Sequence, residues 1–530
     1  MRWNVQAAVA ALVTVWVTGG CAARRLEREN ALALAAADRR ILDGCYDCLL
    51  EARSIYERLG TSRYVNRDTV ALRAFEATLL LALREKELQL DWRTNLERAR
   101  QTAPRLPASM NALRLLAIAD AVLPDGTGRM NDWASTIHRE RAPTPDVPDD
   151  IAWLAMAPIR PAVRDYLALA LDCSYDGRVL APRAQPGPPH RRPVLPPDAS
   201  PLIIYRTGIC MGADTNMLAA VRALVPQFHE AAYFAGSTAA FRAKADGGSR
   251  AAVLLQTAYR RFPRAPGVTY VSGWLAMNLA ECTTALRYYD ETLAIDPEHE
   301  LALLNGTVCL SRLRHDSAAI SRATRLIALE SSSTQPAYYW RAVSWLRLRN
   351  LPAARADIER AKALEREPNA LTMAGVIENE QNELTIAESD LREALALPRG
   401  HQNCTAAWTL GLVLARQDRA SDAASMLETA MDCFDMRVAF ARASIARLQA
   451  KPPSDRDYAA RRLAALEVDS TDQRTRYYAA AFNAAGNRAN AGNLPRAMEL
   501  LAIAERDAKL LDPVAKLRDA IGRAMARARR

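Results

Sequence analysis

The chain has 530 residues, half of them apolar and a quarter charged, with a net charge of +10 and only 6% aromatics. That is long enough for several domains or one long repeat array, with apolar content to bury a core and an Ala, Leu, Arg and Glu richness that favours helix. The positive charge is interleaved with acids and not gathered into one Lys/Arg tract, which reads as solvated helix faces and excludes a nucleic-acid partner; contact with anionic lipid or polysaccharide is the alternative use of such a surface.

The first twenty-one residues, MRWNVQAAVAALVTVWVTGGC, place Arg2 ahead of an uncharged apolar run from Val5 to Val17. The run is shorter than the roughly 20 residues that span a bilayer. Gly19 and Gly20 then precede Cys21, the form of a signal peptide with its processing site. The ending VTGGCAA resembles a bacterial lipobox, with Thr18 where that pattern prefers Leu, Val or Ile. The resemblance implies a lipid on Cys21 as the first mature residue, and Ala22 in place of Asp implies sorting to the outer membrane, facing the periplasm.

GCYDC, Gly44 to Cys48, raises a redox pair, half a metal site or a haem attachment. Leu49 stands where haem attachment needs His, and no second CxxC supplies two further zinc ligands. A thioredoxin-like site wants a βαβ setting, whereas Ala31 to Leu42 reads as helix. Gly44 sets the pair near a helix N-terminus, where thiol pKa falls, so redox chemistry stays open. Helical periodicity continues through Cys48–Leu59, Asp68–Leu90 and WRTNLERARQTAP, where Trp92, Leu96, Ala99 and Pro104 fall at offsets of 0, 4, 7 and 12. Met130 to Asp172 is helical by pattern, with breaks at Pro143–Pro148 and at APIRP. The segment APRAQPGPPHRRPVLPPDASP, Ala181–Pro201, holds too many prolines for a helix or central strand and is the expected domain boundary.

Beyond it the chain repeats. Small residues heading a small/bulky/small/Pro arrangement recur at Ala251, Ala285, Ala319, Ala354, Ala387, Ala423, Ala459 and Ala497, in steps of 33 to 38. Four residues on stand Leu255, Tyr289, Ala323, Ile358, Leu391, Leu427, Leu463 and Leu501. Twelve residues before most heads stands another small residue, among them Gly273, Ala342, Gly375 and Gly411. Such a residue in a first helix lets the second approach closely, and hairpins of this kind bury their faces only by stacking. The period and pattern resemble the tetratricopeptide repeat over roughly Ala231 to Asp512, most closely in WTLGLVLARQDRASDAASMLETAMD. The resemblance implies an all-α, right-handed solenoid of antiparallel helix pairs. The expected division is a signal peptide over 1–21, a helical, divergently repeating region over 22–173, a Pro-rich linker over 174–204, the array over 205–512 and a basic capping helix over 513–530. Cys48 would take the slot that Ala fills in later repeats, making GCYDC the turn and opening of a packed helix, with a local or structural disulfide allowed.

The repeat frame also ranks cysteine pairs: Cys404 with Cys433 at adjacent helix ends, Cys173 with Cys210 across the Pro-rich loop, and Cys282 with Cys309 on successive repeats. In the tetratricopeptide family the first helices line a concave groove. Carried over, that lining includes Tyr270, Trp274, Asn278, Arg312, Tyr339, Arg347, Asn379, Trp408 and Arg416, types suited to a protein or peptide partner. The carboxylate clamp of chaperone-binding members is not reproduced, since Tyr270, Leu304, Tyr339, Thr372 and Trp408 occupy one of its key positions. The six histidines form no metal-ligand spacing, and no Walker loop or nucleophile elbow is present. The expectation is a non-enzymatic, lipid-anchored envelope scaffold with no cofactor or metal, binding an envelope protein. The alternatives are a periplasmic enzyme or redox protein with its site in the N-terminal half, or a polysaccharide-export subunit.

Overall fold

In the computed structural model residues 3–122, 153–154, 156, 159–175, 195, 198–211, 213–241, 247–398, 400–450 and 456–528 are described. They form helices only, divided into two compact units: Met1–Ala243 with Arg250–Val271, and Lys244–Ser249 with Ser272–Arg530.

The first unit starts with α1 (Trp3–Asp43), α2 (Tyr46–Leu59), α3 (Arg67–Glu87), α4 (Arg93–Thr102) and α5 (Ala112–Val122), each packed on its predecessor except α5, which packs on α3. Asn66 opens α3 by accepting the Thr69 amide at 2.9 Å, satisfying one of the orphan donors of the first turn. Next come α6 (Pro161–Tyr175), α7 (Pro201–Cys210), α8 (Thr215–Leu224), α9 (His229–Phe241) and α10 (Gly247–Arg261). α7 packs on α6 and back on α1, so that Leu202 and Ile203 join Ile41, Leu49, Leu80 and Leu167 in one core. This moves the expected boundary: the break between units falls at Val271/Ser272 and not at the Pro-rich segment, because the apolar residues just after the prolines complete the core of the N-terminal helices. Most of Met130–Asp172 and of the Pro-rich stretch lies outside the described residues. Among the described residues no helix is long and apolar enough to cross a membrane.

After α11 (Pro266–Asn278) and α12 (Cys282–Ile295) the pairs are α13 (Glu300–Arg312) with α14 (Asp316–Ile327), α15 (Thr334–Arg347) with α16 (Leu351–Leu364), and α17 (Pro368–Glu380) with α18 (Leu384–Ala396). α19 (Cys404–Arg416), α20 (Ala420–Ala450), α21 (Arg456–Asn490), α22 (Leu494–Ala504) and α23 (Leu511–Ala528) complete the second unit. The repeat heads Ala285, Ala319, Ala354, Ala387, Ala423 and Ala497 are all fully buried. The bulky residue four on fits over the small residue sixteen before it. A Cβ added at Gly375 would come within 2.5 Å of the Leu391 side chain, and one at Gly411 within 2.6 Å of Leu427. The turns inside the pairs share a device: a single left-handed residue after the first helix, at Ala280, Arg314, Arg349, Asn382, Asp418 and Gly492. First helices of neighbouring pairs (α13, α15, α17, α19) pack on one another more closely than the second helices do, which curves the stack with first helices inside. The second unit is thus an α-solenoid.

One copy of the repeat departs from the expected frame. Ala459 does not head the second helix of a hairpin, because α20 runs unbroken to Ala450 and α21 from Arg456 to Asn490. The two long helices pair with each other as an arm; the inner half of α21 then serves as the first helix to α22. α23 closes the end, burying Val514 and Ile521 against Leu500 and Ala484.

Candidate interaction surface

The inner face is built from first helices, and their large side chains are half-buried. Tyr339 meets Trp340 edge-on at 5.2 Å, and Trp408 meets Phe434 likewise at 5.9 Å. Leu304, at the equivalent position of α13, is also half-buried, as is Trp274, whereas Tyr270 is buried. The arginines predicted to line the groove have structural partners. Arg347 donates to the Ser311 carbonyl and, at 2.8 Å, to its hydroxyl, closing the last turn of α13. Arg416 does the same two pairs later, to the Asn379 carbonyl, to Asn379 Oδ1 at 2.8 Å and to Asn382 Oδ1 at 2.8 Å. A planar fork that satisfies orphan carbonyls of the preceding first helix explains why Arg, not Lys, stands there. Arg312 instead reaches towards Cys282 and helps hold its thiol down at about 7, behind the larger effect of the Cys309 hydrogen bond and against burial.

The arm returns to this surface. Arg461 donates to both oxygens of Glu281 at 3.1 and 3.3 Å, and Arg462 to the Asn278 carbonyl at 2.8 Å. The Tyr458 ring lies over Gly248, where a Cβ would meet its hydroxyl at 1.6 Å. The second helix of the arm is therefore latched to the α11/α12 turn, and the predicted groove residue Asn278 is part of the latch. Nothing periodic in the sequence marks Arg461 and Arg462 for this, since their partners lie about 180 positions earlier.

The cysteines divide by unit. Cys45 is bonded to Cys48, with Cα atoms 4.9 Å apart and 0% and 1% of the two residues exposed. Cys45 is also the N-cap of α2, its Sγ accepting the Cys48 amide at 3.0 Å. The turn is held from several sides. Gly44 has φ of 70° and a Cβ there would lie 2.4 Å from Leu202; Glu230 accepts the Tyr46 amide at 2.6 Å; and Arg261 grips Asp47. A sulfur pair so covered offers no face to an exchanging thiol. In the second unit Cys404 and Cys433 are bonded, tying α19 to α20. Cys282 and Cys309 are free, buried thiols, which corrects the expected bridge: they are neighbours that hydrogen-bond instead. Cys210 is disulfide-bonded, and the Cys173 side chain lies outside the described residues.

Two groups of buried charge were missed by the sequence reading. Arg84 is fully buried between Glu87, at 2.6 Å, and Glu230, with its guanidinium 3.7 Å over the Tyr205 ring. Against the upward push of burial, Arg84 and Arg206 hold the Glu87 carboxyl below its usual range, and the Tyr166 and Tyr205 hydroxyls donate to it. Glu378 of α17 is different. It is 1% exposed, neither oxygen has a hydrogen-bond partner among the described residues, and burial, with Asp390 adding to it, pushes its carboxyl up to about 7. Its place three residues after Gly375 on the packed stripe was the available signal.

No protein-family model matches the sequence, and no curated protein matches it. Solved structures are similar in part. The chain is 13% identical to a tetratricopeptide repeat protein from Parabacteroides merdae, over 48% of this chain and 92% of that one, with a TM-score of 0.35. It is 18% identical to YrrB, described as a TPR protein with an unusual peptide-binding site, over 34% of this chain and 91% of that one, with a TM-score of 0.28. It is 11% identical to a chain of the APC/C hetero-tetramer Cut9-Hcn1, over 93% and 96% of the two chains, with a TM-score of 0.40. Scores this low carry no argument about function, and the type of fold rests on the chain's own geometry. By its period, its glycine-under-bulky contacts and its shared left-handed turns, the chain is a protein of the tetratricopeptide-repeat type.

Proposed function

We propose that this protein is a non-enzymatic scaffold of the bacterial envelope, anchored through a lipid on Cys21 to the outer membrane and facing the periplasm. A protein partner, or an extended segment of one, lies along the inner face of the array. The observation that carries this reading is the set of large side chains kept half-buried on the first helices, Leu304 of α13, Tyr339 of α15 and Trp408 of α19, at equivalent positions of their pairs, with the buried Thr372 of α17 between the last two. Aromatic and apolar groups kept half-open at a concave surface are the usual anchors of protein recognition. The anchor has its own support. Between Cys21 and Ala37, the first fully buried residue of α1, lies an exposed charged stretch with Arg24, Arg25, Glu27, Arg28 and Glu29. As helix it spans about 24 Å at 1.5 Å per residue, a spacer that lifts the folded body off a lipid surface. Burial of the Cys45–Cys48 pair supports a structural staple over a redox site.

A photo-reactive residue at Leu304, on the inner face, is expected to cross-link a reproducible envelope protein in cells, and one at the exposed Leu364 of α16 is not. Equal capture from both positions would remove the inner face as the binding site. Mass spectrometry of the mature N-terminus is expected to find diacylglycerol on Cys21; an unmodified Cys21 would end the anchoring claim.

A further inference from the structure

Among the described residues nothing packs on the outer face of the arm, which is unusual for a solvated helix. On α20, Met436 and Phe440 lie one turn apart and are 59% and 70% exposed, while Val438, Ala441 and Leu448 are buried on the opposite side. Asp432, Met436, Ala439, Ala443, Ala446 and Ala450 repeat at spacings of 4 and 3, so they share the stripe that bears Phe440. Alanine keeps that stripe shallow enough for a second helix to approach closely. One flank of the stripe is segregated in charge: exposed Asp435 comes before Phe440 and exposed Arg442 after it, while Arg437, on the other flank, donates to the Gln402 carbonyl at 2.9 Å.

We infer that this stripe pairs antiparallel with the same stripe of a second copy of the chain, making the protein a dimer through its arms. Under a two-fold axis near Val438 and Ala439, Met436 lies between the layers of the partner copy's Phe440 and Ala443. The same operation brings Asp435 opposite Arg442 of the other copy, twice. A helix face that is acidic at one end and basic at the other is complementary to itself only when reversed, which is what an isologous interface requires. A parallel arrangement would set like charges level with each other. One helix pair of this length is about 28 Å long and forms a small interface, so association in the micromolar range is expected.

The test uses the full chain carrying Cys21→Ser, studied by sedimentation equilibrium up to about 100 μM, a range that covers weak interfaces. The parent chain is expected to dimerise, and Phe440→Asp to abolish dimerisation while circular dichroism shows unchanged helix. Asp435→Arg alone and Arg442→Asp alone are each expected to weaken self-association at least about 10-fold, because two attractive pairs become repulsive. Mixed in equal amounts, these two variants restore opposite charges at both contacts and are expected to form a mixed dimer, as is the chain bearing both changes. A parent chain that stays monomeric at the highest concentration overturns the inference. So does a mixture no more associated than its components.

Discussion

Glu378 shows what a single residue can store in a packed array. Its carboxyl group has no hydrogen-bond partner among the described residues, Asp390 stands nearby, and Lys362 is occupied by that aspartate at 2.5 Å. The folded state therefore holds its proton up to about 7, while an exposed glutamate releases it near 4.5. A carboxyl raised in this way favours folding below its ordinary value and loses that advantage as pH climbs from there to neutrality. Glu378→Gln is expected to stabilise the second unit at pH 8 by about 1–3 kcal/mol and to change nothing below pH 4.5. Urea unfolding at the two pH values checks this, and a variant less stable at pH 8 would show that the carboxylate has a partner when ionised. His299 behaves in the opposite sense. As N-cap of α13 it accepts the Ala302 amide at 3.2 Å, and burial lowers it to about 4, so its share of stability is full above its ordinary 6.5 and falls away on acidification.

The helix pair is the element at which local sequence and packing meet. The glycine beneath Tyr289, Leu391 and Leu427 is a space requirement, whereas the left-handed turn residue is a backbone requirement, and substitution separates the two. Gly411→Ala is expected to destabilise by about 1–3 kcal/mol, since its methyl group would enter the space of Leu427. Ala280→Gly, at φ of 61°, is expected to stabilise by up to about 1 kcal/mol, because glycine adopts that conformation without the Cβ clash. Thermal melts of the two variants should move in opposite directions, and a shared direction would mean that helix propensity outweighs both effects. The spacing of small and bulky residues made this element legible from sequence, as did turn signals such as AGNLP. The role of Arg347 and Arg416 was not legible. A charged residue near a helix end looks the same whether it reaches for a partner or for the carbonyl of the preceding first helix, and only the stacking distance decides.

Across the whole chain, the arm is the feature that most alters the functional reading, because its latch sits on the α11/α12 turn beside the predicted groove. The Arg461–Glu281 pair is partly exposed, and such pairs contribute about 0–1 kcal/mol, so the latch is held weakly and opens locally. Replacing Arg461 and Arg462 with Ala is expected to speed amide exchange over Arg456–Ser470 by about 3- to 10-fold, leaving α15–α18 unchanged. Equal acceleration in both regions would show that the latch supports the array as a whole. The sequence by itself determined the helices, the repeat, the hairpin contacts and a candidate lipidation signal, because these are written in spacings of a few residues or in one short terminal motif. Only the tertiary structure decided where the two units part, how Leu202 and Glu230 enclose the Cys45–Cys48 turn, which arginines are occupied, and that α20 and α21 form an arm. Each of those rests on contacts between residues far apart in the chain, for which helical periodicity carries no register, so burial and distance had to settle them.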